Sequence, residues 1–153
     1  MSDEAADVLA RACADAMWSN DNATRALGME IVDVGSGRAT LAMSIRADMT
    51  NGHGMCHGGF IFTLADSAFA FACNSYNQNA VAQHCSVTFI RPGRLGDRLT
   101  AVAVERSRSG RSGIYDITVT GSDGKVIAEF RGHSRVIDGK LVPMVSDPPG
   151  LTP

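Results

Sequence analysis

The sequence predicts an α+β protein in which a long central helix is wrapped by an antiparallel β-sheet, with a short helix at the N-terminus. Residues 58–74 form an almost wholly apolar run that is too long for a strand and poor in β-branched residues, which favours a helix. Most other segments alternate apolar and polar residues between turn signals, as strands of a half-buried antiparallel sheet do. Since a helix that is apolar nearly all round must be covered on most sides, we expect the sheet to curve around it.

The first half of the chain predicts one helix, a two-stranded hairpin and a loop. Apolar residues with charges between them predict an amphipathic helix over residues 4–19, which the turn formers at 20–22 end. A Gly-Ser-Gly turn at residues 35–37 joins two alternating segments, which is typical of a hairpin. The polar residues 46–57 form a loop rich in glycine and histidine directly before the apolar helix.

The second half predicts four strands, which we expect to pair antiparallel. The first begins at residue 81 and stops at Arg91-Pro92-Gly93, and an Asp-Gly turn at residues 123–124 joins the last two. Alternation in the first of these strands places four side chains on one face: Val81, Cys85, Val87 and Phe89. The Pro-rich end of the chain, residues 140–153, is predicted to be loosely ordered.

Length and composition indicate one domain over residues 1–153, with the N-terminal helix in about the first 20. Of the 153 residues, 44% are hydrophobic and 20% are charged, and one core suits a chain of this length. The formal net charge of −2 argues against a nucleic-acid partner. No segment has the roughly 18 uninterrupted apolar residues of a membrane span, so we expect no membrane partner.

The N-terminus and the cysteines favour a cytoplasmic protein. Asp3 and Glu4 stand where a signal peptide would carry basic residues. No two of the four cysteines form a CxxC pair: Cys13, Cys56, Cys73 and Cys85. We therefore expect reduced thiols.

Asp66 is a carboxylate in the middle of the apolar helix, where packing alone would place Ala or Leu. An unpartnered buried carboxylate is strongly unfavourable, and Asp is a poor residue within a helix. Two interpretations remain open. Asp66 is a reactive carboxylate, or it belongs to a narrow polar strip that faces water or bonds locally, together with Thr63, Ser67 and Asn74.

Gly58 and Gly59 stand at the start of the same helix, where backbone N–H groups lack partners and the helix dipole is positive. Such donors suit a developing oxyanion, although loops use glycine for many other reasons. Gly59 and Asp66 are seven residues apart, which is about 10 Å along a helix. One carbonyl cannot touch both groups, so a site that uses both needs two subunits, and we predict at least a dimer.

The loop before the helix also offers His53, Cys56 and His57, whose side chains suit a metal ion or a Cys–His nucleophile pair. No third or fourth ligand stands at a suitable spacing, and the Gly-rich surroundings do not preset a site, so we predict no metal. The Cys–His alternative lacks a third residue to orient the pair.

Three parts of the chain carry a resemblance to a known family: NGHGMCHGGFIFTLADSAFAFACNS at residues 51–75, FIRPGRLGDRLTA at residues 89–101, and SGIYDITV with AEFRGHSR further on. Together they resemble the PaaI-type phenylacetate-pathway thioesterases of the hotdog superfamily, over nearly the whole chain. HGG followed by LADSAFA is specific to this branch. Phe60 is a departure, because relatives often carry a polar residue after HGG.

The resemblance implies a hotdog fold, dimers whose sheets join and whose two chains form the active site, and usually a homotetramer of two dimers. It implies hydrolysis of acyl-CoA thioesters, with phenylacetyl-CoA and its ring-hydroxylated forms as expected substrates. No cofactor is implied, since coenzyme A is part of the substrate.

Carried over to this chain, the resemblance makes Asp66 the catalytic carboxylate and the backbone at Gly58 or Gly59, following His57, the oxyanion donor. Asn51 lies in the loop that lines the thioester. Asp66 then acts as a general base on water or as a nucleophile that forms a mixed anhydride, and the sequence does not separate the two. Ser67 either orients water or bonds to its own backbone.

The phosphates of CoA predict arginines along its path. The candidates lie at a Pro-Gly turn and in the segment RSRSGRSG: Arg91, Arg94, Arg106, Arg108 and Arg111. Arg111 is the first candidate because Gly110 and Gly113 let its backbone approach a ligand, and a solvated hairpin tip is the alternative. Phe60, Leu64 and Phe69 either border the acyl group or belong to the core.

Two other functions remain as alternatives. A hotdog enoyl-CoA hydratase would use a carboxylate and a histidine, for which Asp48 and His53 give the nearest pattern, but they lack the proline of that family's motif. A non-catalytic acyl-CoA-binding module would have no use for Asp66.

Overall fold

A computed structural model describes residues 1–143, which form a six-stranded antiparallel sheet with a long helix packed against it. The helices are α1 (Asp3–Asn20), α2 (Asn22–Ala26) and α3 (Gly58–Cys73). The strands are β1 (Glu30–Gly35), β2 (Arg38–Ser44), β3 (Ala80–Phe89), β4 (Arg98–Ser109), β5 (Ser112–Thr120) and β6 (Val126–Val136). The strand order β1-β2-β4-β5-β6-β3 leaves β1 and β3 at the edges. The predicted α+β class, with the sheet around a central helix, is confirmed.

Two short elements were not predicted, namely α2 and a 3-10 turn at Ala47–Met49. The Asn-rich segment after α1 was expected only to end that helix. Asp21 also begins α2, because its Oδ1 accepts a hydrogen bond from the backbone N–H of Thr24 at 3.0 Å.

The helix α3 lies across the inner face of the sheet and forms the centre of the core. Its side chains Leu64, Ala68 and Ala72 are fully buried. It packs against β2, β4 and β5, whose inward side chains are equally buried and include Leu41, Met43, Leu99, Ala101 and Ile117. Burial of each large apolar side chain contributes roughly 1.5–3 kcal/mol, so the apolar surface of α3 fixes the helix in the sheet.

Gly132 of β6 makes room for the ring of Phe69 on α3. A Cβ at position 132 would lie 2.7 Å from a ring carbon of Phe69, closer than packed atoms allow. The same ring packs against Tyr115, with centroids 5.5 Å apart, and against Phe130. A side chain at Gly132 would therefore push α3 away from the sheet.

The strand β3 corrects one expectation about which side chains share a face. Its register with β6 shifts between Ala82 and His84. Cys85 pairs with Gly132 on the inner face, whereas Val81 pairs with Arg135 and is 47% exposed. This β-bulge puts Val81 on the face opposite to Cys85, Val87 and Phe89, because an extra residue inverts the alternation.

The chain after β6 returns to the end of α3. The side chain of Asn77 accepts hydrogen bonds from the N–H groups of Leu141 and Val142, each at 2.9 Å, and donates to the carbonyl of Val142. Asn77 is buried and has a positive φ of 59°. Residues 140–143 of the predicted loose tail are thus held by Asn77, and residues 144–153 lie outside the described part.

No helix within residues 1–143 combines the length and apolar character needed to cross a membrane. All four cysteines are free thiols, and three of them are buried.

We expect Gly132→Ala to lower the free energy of unfolding by about 1–3 kcal/mol, because the added methyl overlaps the ring of Phe69. Urea unfolding measures the change. Gly52→Ala is the matched control, since a Cβ at Gly52 would meet nothing within 4 Å, and it should change stability by less than about 0.5 kcal/mol. Equal stability of the two variants would contradict the tight contact at Gly132.

Candidate active site

Asp66 lies in the middle of α3 and is half-buried. Its pKa is raised, first because burial disfavours the charged carboxylate and second because the negative charge of Asp21 lies nearby. Within residues 1–143, no hydrogen-bond donor or ion-pair partner satisfies its carboxylate. The carboxylate of Asp66 therefore makes no stabilising contact within the described chain.

The start of α3 is shaped by His57, the residue immediately before the helix. Its backbone N–H donates to the carbonyl of Met49 at 2.7 Å, and its ring Nδ1 accepts from the N–H of Gly59 at 3.0 Å. Because Nδ1 is an acceptor, the neutral ring carries its proton on Nε2. His57 is thus the N-cap of α3.

This cap makes the two glycines different, although the sequence predicts either of them as the oxyanion donor. The N–H of Gly59 is used by His57, so Gly59 is not a free donor and that part of the expectation is wrong. The N–H of Gly58 has no acceptor among the described residues, and Gly58 is the first residue of the helix. Gly58 is therefore the one candidate of the pair to hold an oxyanion.

Asn51 organises the loop that faces Gly58. Its side-chain oxygen accepts from the N–H groups of His53 at 2.9 Å and Met55 at 3.3 Å. These contacts orient the amide, and its Nδ2 donates to no acceptor in the described part of the chain. The loop is tied to the sheet because the N–H of Cys56 donates to the carbonyl of Gly93 at 2.8 Å.

A cavity of about 480 Å³ opens in front of Gly58. Asn51 and Gly58 contribute its polar groups, and its apolar walls are Met55, Ile61, Phe89 and Ile90. A Cβ at Gly58 would lie 2.9 Å from the ring of Phe89, so this ring covers the start of the helix. An apolar cavity with a few polar groups on one side is typical of a small-molecule site.

A second, more polar cleft of about 550 Å³ adjoins the first, because Arg91 and Pro92 line both. It contains the cations of Arg91, Arg94 and Lys125 and the carboxylates of Asp97 and Asp123. Arg91 pairs with Asp123 at 3.6 Å. Neither Arg94 nor Lys125 forms an ion pair with another described residue, so this cleft retains two unpaired cations.

The other predicted arginines are occupied within the chain. Arg108 lies 3.4 Å from a carboxylate oxygen of Glu105, and its guanidinium stacks 3.5 Å above the ring of Tyr76. Arg106 pairs with Asp116 at 3.3 Å. Arg108 thus has an ion-pair partner within the chain, and its expected role in binding CoA stays a prediction.

Arg111 and Gly110 lie at the turn between β4 and β5. The twelve residues of β4 separate this turn from the end of the sheet that carries Arg94 and Cys56, a path of roughly 35 Å along the strand. Within one chain, Arg111 and Gly58 are therefore far apart. Arg111 is 3.7 Å from the fully exposed Asp138, an ion pair of little strength.

Ser67 does not face the cavity. Its hydroxyl is buried and lies 2.8 Å from the hydroxyl of Thr24 on α2. Its hydroxyl makes no hydrogen bond to its own backbone within residues 1–143, and the orientation of water stays a prediction. Asn74 is likewise buried at the end of α3, where its side chain holds the backbone of Ala80. A polar strip facing water is thus excluded for these two residues.

Phe60 packs partly against the core, with its ring edge-on to His57 at 6.3 Å between centroids. It does not line the cavity in front of Gly58. Its expected contact with the substrate stays a prediction.

The structure gives little support to the alternative chemistries, namely a cysteine nucleophile, a hydratase and a metal site. Cys56 is buried and its pKa is raised by burial, which disfavours the thiolate of a nucleophile. Asp48, the carboxylate of the hydratase-like pattern, pairs with Arg46 at 3.0 Å. Within residues 1–143, no three His, Cys, Asp or Glu side chains cluster to hold a metal ion.

Several residues of the candidate site were not predicted from the sequence. Phe89, Ile90 and Lys125 look like ordinary strand and turn residues, and only the fold brings them to Gly58 and Arg94. The sequence predicts a role for His57 from the chemistry of its imidazole, whereas its capping role follows from its position directly before the helix.

The uninterrupted helix α3 supports the distance argument. Gly58 and Asp66 are eight residues apart in it, which is about 12 Å. The free amide and the carboxylate of one chain cannot contact the same carbonyl.

The long helix packed against a six-stranded antiparallel sheet is a hotdog fold. The chain belongs to the thioesterase superfamily, whose model matches residues 53–128.

Within that family the chain is similar to the PaaI proteins. It is 46% identical to the acyl-coenzyme A thioesterase PaaI of Escherichia coli over 128 residues, which cover 84% of this chain and 91% of that protein. The solved structure of E. coli PaaI, from the phenylacetic acid degradation operon, superposes with a TM-score of 0.86 and covers 88% of this chain and 97% of its own.

Other proteins are similar to this chain at lower identity. Human acyl-coenzyme A thioesterase 13 is 28% identical over 76% of this chain and 86% of its own length. A Streptococcus mutans protein solved with bound acetyl-CoA is 26% identical, has a TM-score of 0.70, and covers 73% of this chain and 90% of its own.

We expect Asp66→Asn to raise the free energy of unfolding at neutral pH. A pKa raised in the folded state means that the stability associated with Asp66 is fully present below its ordinary pKa of 3.8 and is lost as pH rises through the raised value. The neutral amide avoids this loss, so the gain should disappear in acid.

Urea unfolding of the wild type and the variant between pH 3.5 and 8 measures the difference. Asp15→Asn is the matched control, since Asp15 is exposed on α1 beside Arg11. A variant no more stable than the wild type at pH 7 would show that the carboxylate is not strained by burial.

Proposed function

We propose that the protein hydrolyses acyl-CoA thioesters, with the carboxylate of Asp66 and the amide of Gly58 acting on the same carbonyl from two subunits. The observation that carries this proposal is the half-buried, unpartnered Asp66 on the helix whose first amide is free. The similarity to E. coli PaaI, an acyl-coenzyme A thioesterase, supports the substrate class.

The reaction follows from the two groups. Asp66 takes a proton from water, the water oxygen bonds to the thioester carbon, and the carbonyl oxygen becomes negative. The amide of Gly58, at the positive end of α3, donates a hydrogen bond to that oxygen. The carbon–sulfur bond then breaks, and the CoA thiolate takes up the proton. In the alternative route Asp66 attacks the carbon itself, and water cleaves the resulting anhydride.

The edge strand β3 is the surface through which two copies would join. It has ten residues and is paired only on the side of β6. A long unpaired edge strand is a ready template for another strand. Apolar side chains at its end are exposed, with Phe89 at 50% and Ile90 at 57%. Pairing of two β3 strands would set the α3 helices side by side and give a dimer, with a tetramer of two dimers as the further expectation.

We propose that CoA runs from Gly58 through the apolar cavity to the adjoining cleft, where Arg94, Lys125 and Arg91 hold its phosphates. Arg91 and Pro92 line both cavities, so the two adjoin. The apolar walls suit the pantetheine arm, and the unpaired cations suit phosphate. Arg91 thus keeps its expected role, whereas Arg94 and Lys125 take the place of Arg108.

The acyl group is proposed to be phenylacetyl or a ring-hydroxylated phenylacetyl group. The operon of the E. coli relative supports this choice. No cofactor takes part in the proposed reaction, and a cytoplasmic location is proposed because acyl-CoA substrates are made there. A panel of aryl and straight-chain acyl-CoAs, assayed by thiol release, tests the acyl preference.

Two inactive variants should restore activity to each other if each site uses two chains. Asp66→Asn removes the base, and Gly58→Pro removes the free N–H. Proline suits this position because it is the first of the helix and His57 before it has an extended backbone, with φ −61° and ψ 133°. Mixed dimers contain one intact site, so random mixing should give roughly a quarter of the wild-type activity per chain.

Thiol release from phenylacetyl-CoA measures the recovery, after co-expression or after unfolding and refolding together. Gly58→Ala is the control, because it adds the same Cβ near Phe89 but keeps the N–H. Turnover by Asp66→Asn alone would refute the mechanism. Two dead variants whose mixture stays dead would place both groups in one chain.

We expect the double variant Arg94→Ala with Lys125→Ala to raise KM for acyl-CoA about tenfold with little change in kcat. The removed cations bind phosphate equally in the ground state and the transition state. Both side chains are exposed, so each ion pair contributes about 0.7 kcal/mol, and the two together correspond to about a tenfold change. Steady-state kinetics with phenylacetyl-CoA measures the effect.

The control substrate is the S-phenylacetyl thioester of N-acetylcysteamine, which has no phosphates. On it the double variant should match the wild type. Arg111→Ala is the control variant, and a larger rise in KM from this change would return the phosphates to the turn between β4 and β5.

A further inference from the structure

The junction between α1 and α2 contacts α3 next to Asp66. Thr24 of α2 is 1% exposed, and its hydroxyl lies 2.8 Å from that of Ser67, the residue that follows Asp66. The short helix α2 is thereby fixed to the part of α3 that carries the reactive carboxylate.

The direction of these hydrogen bonds follows from the available protons. The hydroxyl of Thr24 lies 2.7 Å from Oδ2 of Asp21, and an ionised carboxylate can only accept, so Thr24 donates to Asp21. Its single proton is then used, and Ser67 must donate to Thr24. Oδ1 of Asp21 accepts the N–H of Thr24 at 3.0 Å. Both oxygens of Asp21 are therefore held by one residue.

We propose that Asp21 is a positioning residue for thioester hydrolysis: its carboxylate, held by Thr24 and through Thr24 by Ser67, keeps a second negative charge beside Asp66. The proposal rests on the function proposed above. The effect of that charge is to make the carboxylate of Asp66 a stronger base than burial alone would make it.

Among the titratable neighbours of Asp66, Asp21 is the one whose charge raises the pKa of Asp66. Burial and the interaction with Asp21 raise the pKa of Asp66, in that order. The thiols of Cys73 on α3 and Cys85 on β3 also lie within its field, but burial raises the pKa of both, so they stay neutral.

Most charged side chains of the other elements packed on α3 have a partner within the described chain. On α1, α2, β1, β2, β4 and β5 the contacts are Arg11 with Asp15, Arg25 with the carbonyl of Ser19, Glu30 with Arg98, Asp7 and Asp33 with Arg38, Arg108 with Glu105, and Arg106 and Asp116 with each other. On β6, Glu129 bonds to Thr118 and Arg131 pairs with Asp116. Three charged side chains of these elements have no partner in residues 1–143: Asp3 and Glu4 in the first turn of α1, at the end of that helix far from Asp21, and the exposed Arg135 of β6. Tyr115 of β5, whose pKa burial raises, is neutral.

A merely structural role must be separated from this electrostatic one, because Asp21 is also the N-cap of α2. Asparagine caps helices as well as aspartate does, so Asp21→Asn keeps the cap and removes the charge. Asp15→Asn removes the same charge from the exposed face of α1 and is the matched control.

The test is the pH profile of kcat/KM for phenylacetyl-CoA hydrolysis by the wild type, Asp21→Asn, Asp15→Asn and Asp66→Asn. We expect the acid limb of Asp21→Asn to move to lower pH and its plateau to fall, because Asp66 loses a like charge and becomes less basic. Asp15→Asn should follow the wild type. If Asp21 has only a structural role, Asp21→Asn should lower kcat/KM by the same factor at every pH and leave the acid limb in place. This result would overturn the proposal.

Thr24 supplies a second comparison. Thr24→Val removes the hydroxyl that holds Asp21 and should also move the acid limb, whereas Thr24→Ser should restore the wild-type profile. Identical profiles for these two variants would overturn the proposal as well. Hydrolysis by Asp66→Asn would instead refute the proposed function, so the two failures are distinguishable.

Discussion

The burial of α3 against the inner face of the sheet is the interaction on which the rest of the structure depends. Leu64, Ala68 and Ala72 leave the helix no freedom to rotate, because each is enclosed by the sheet. Gly132 lets the Phe69 ring approach β6 closely. Every group on α3 is therefore placed by packing, and the position of Asp66 is decided by apolar neighbours that take no part in chemistry.

The same burial raises the pKa of Asp66, on which its proposed role as a base depends. A carboxylate on an exposed helix would be an ordinary weak base, whereas here desolvation disfavours its charge. The fold accepts this local loss of stability because the remaining surface of α3 is apolar. The side chains of His57 at the helix start and of Asn51 in the loop accept hydrogen bonds from backbone N–H groups and hold these segments in place. The groups of the proposed site thus lie on elements whose positions are fixed by such contacts.

The sequence predicts the elements and points to Asp66 because both leave local signals. The apolar run at residues 58–74 predicts α3. Asp66 is visible in a single sequence because it is a carboxylate within that apolar run. Contacts between distant segments leave no such signal. The bond between Ser67 and Thr24 spans 43 positions, and the bulge in β3 inverts the face of Val81 without any change of pattern. The sequence ranks the arginines as CoA ligands by the flexibility of their neighbours. The ion pairs of Arg106 with Asp116 and of Arg108 with Glu105 are set by strand register.

The hydrogen bond between His57 and Gly59 also bears on which anion the start of α3 accepts. A helix start with several free amides attracts phosphate, which has oxygens for all of them. Here one of those amides is covered by an imidazole, and the ring of Phe89 lies over Gly58. The remaining donor suits a single oxygen on a flat group in an apolar slot. The substrate's own phosphates, which are bulky and strongly hydrated, are thereby kept from competing with its carbonyl for the same place.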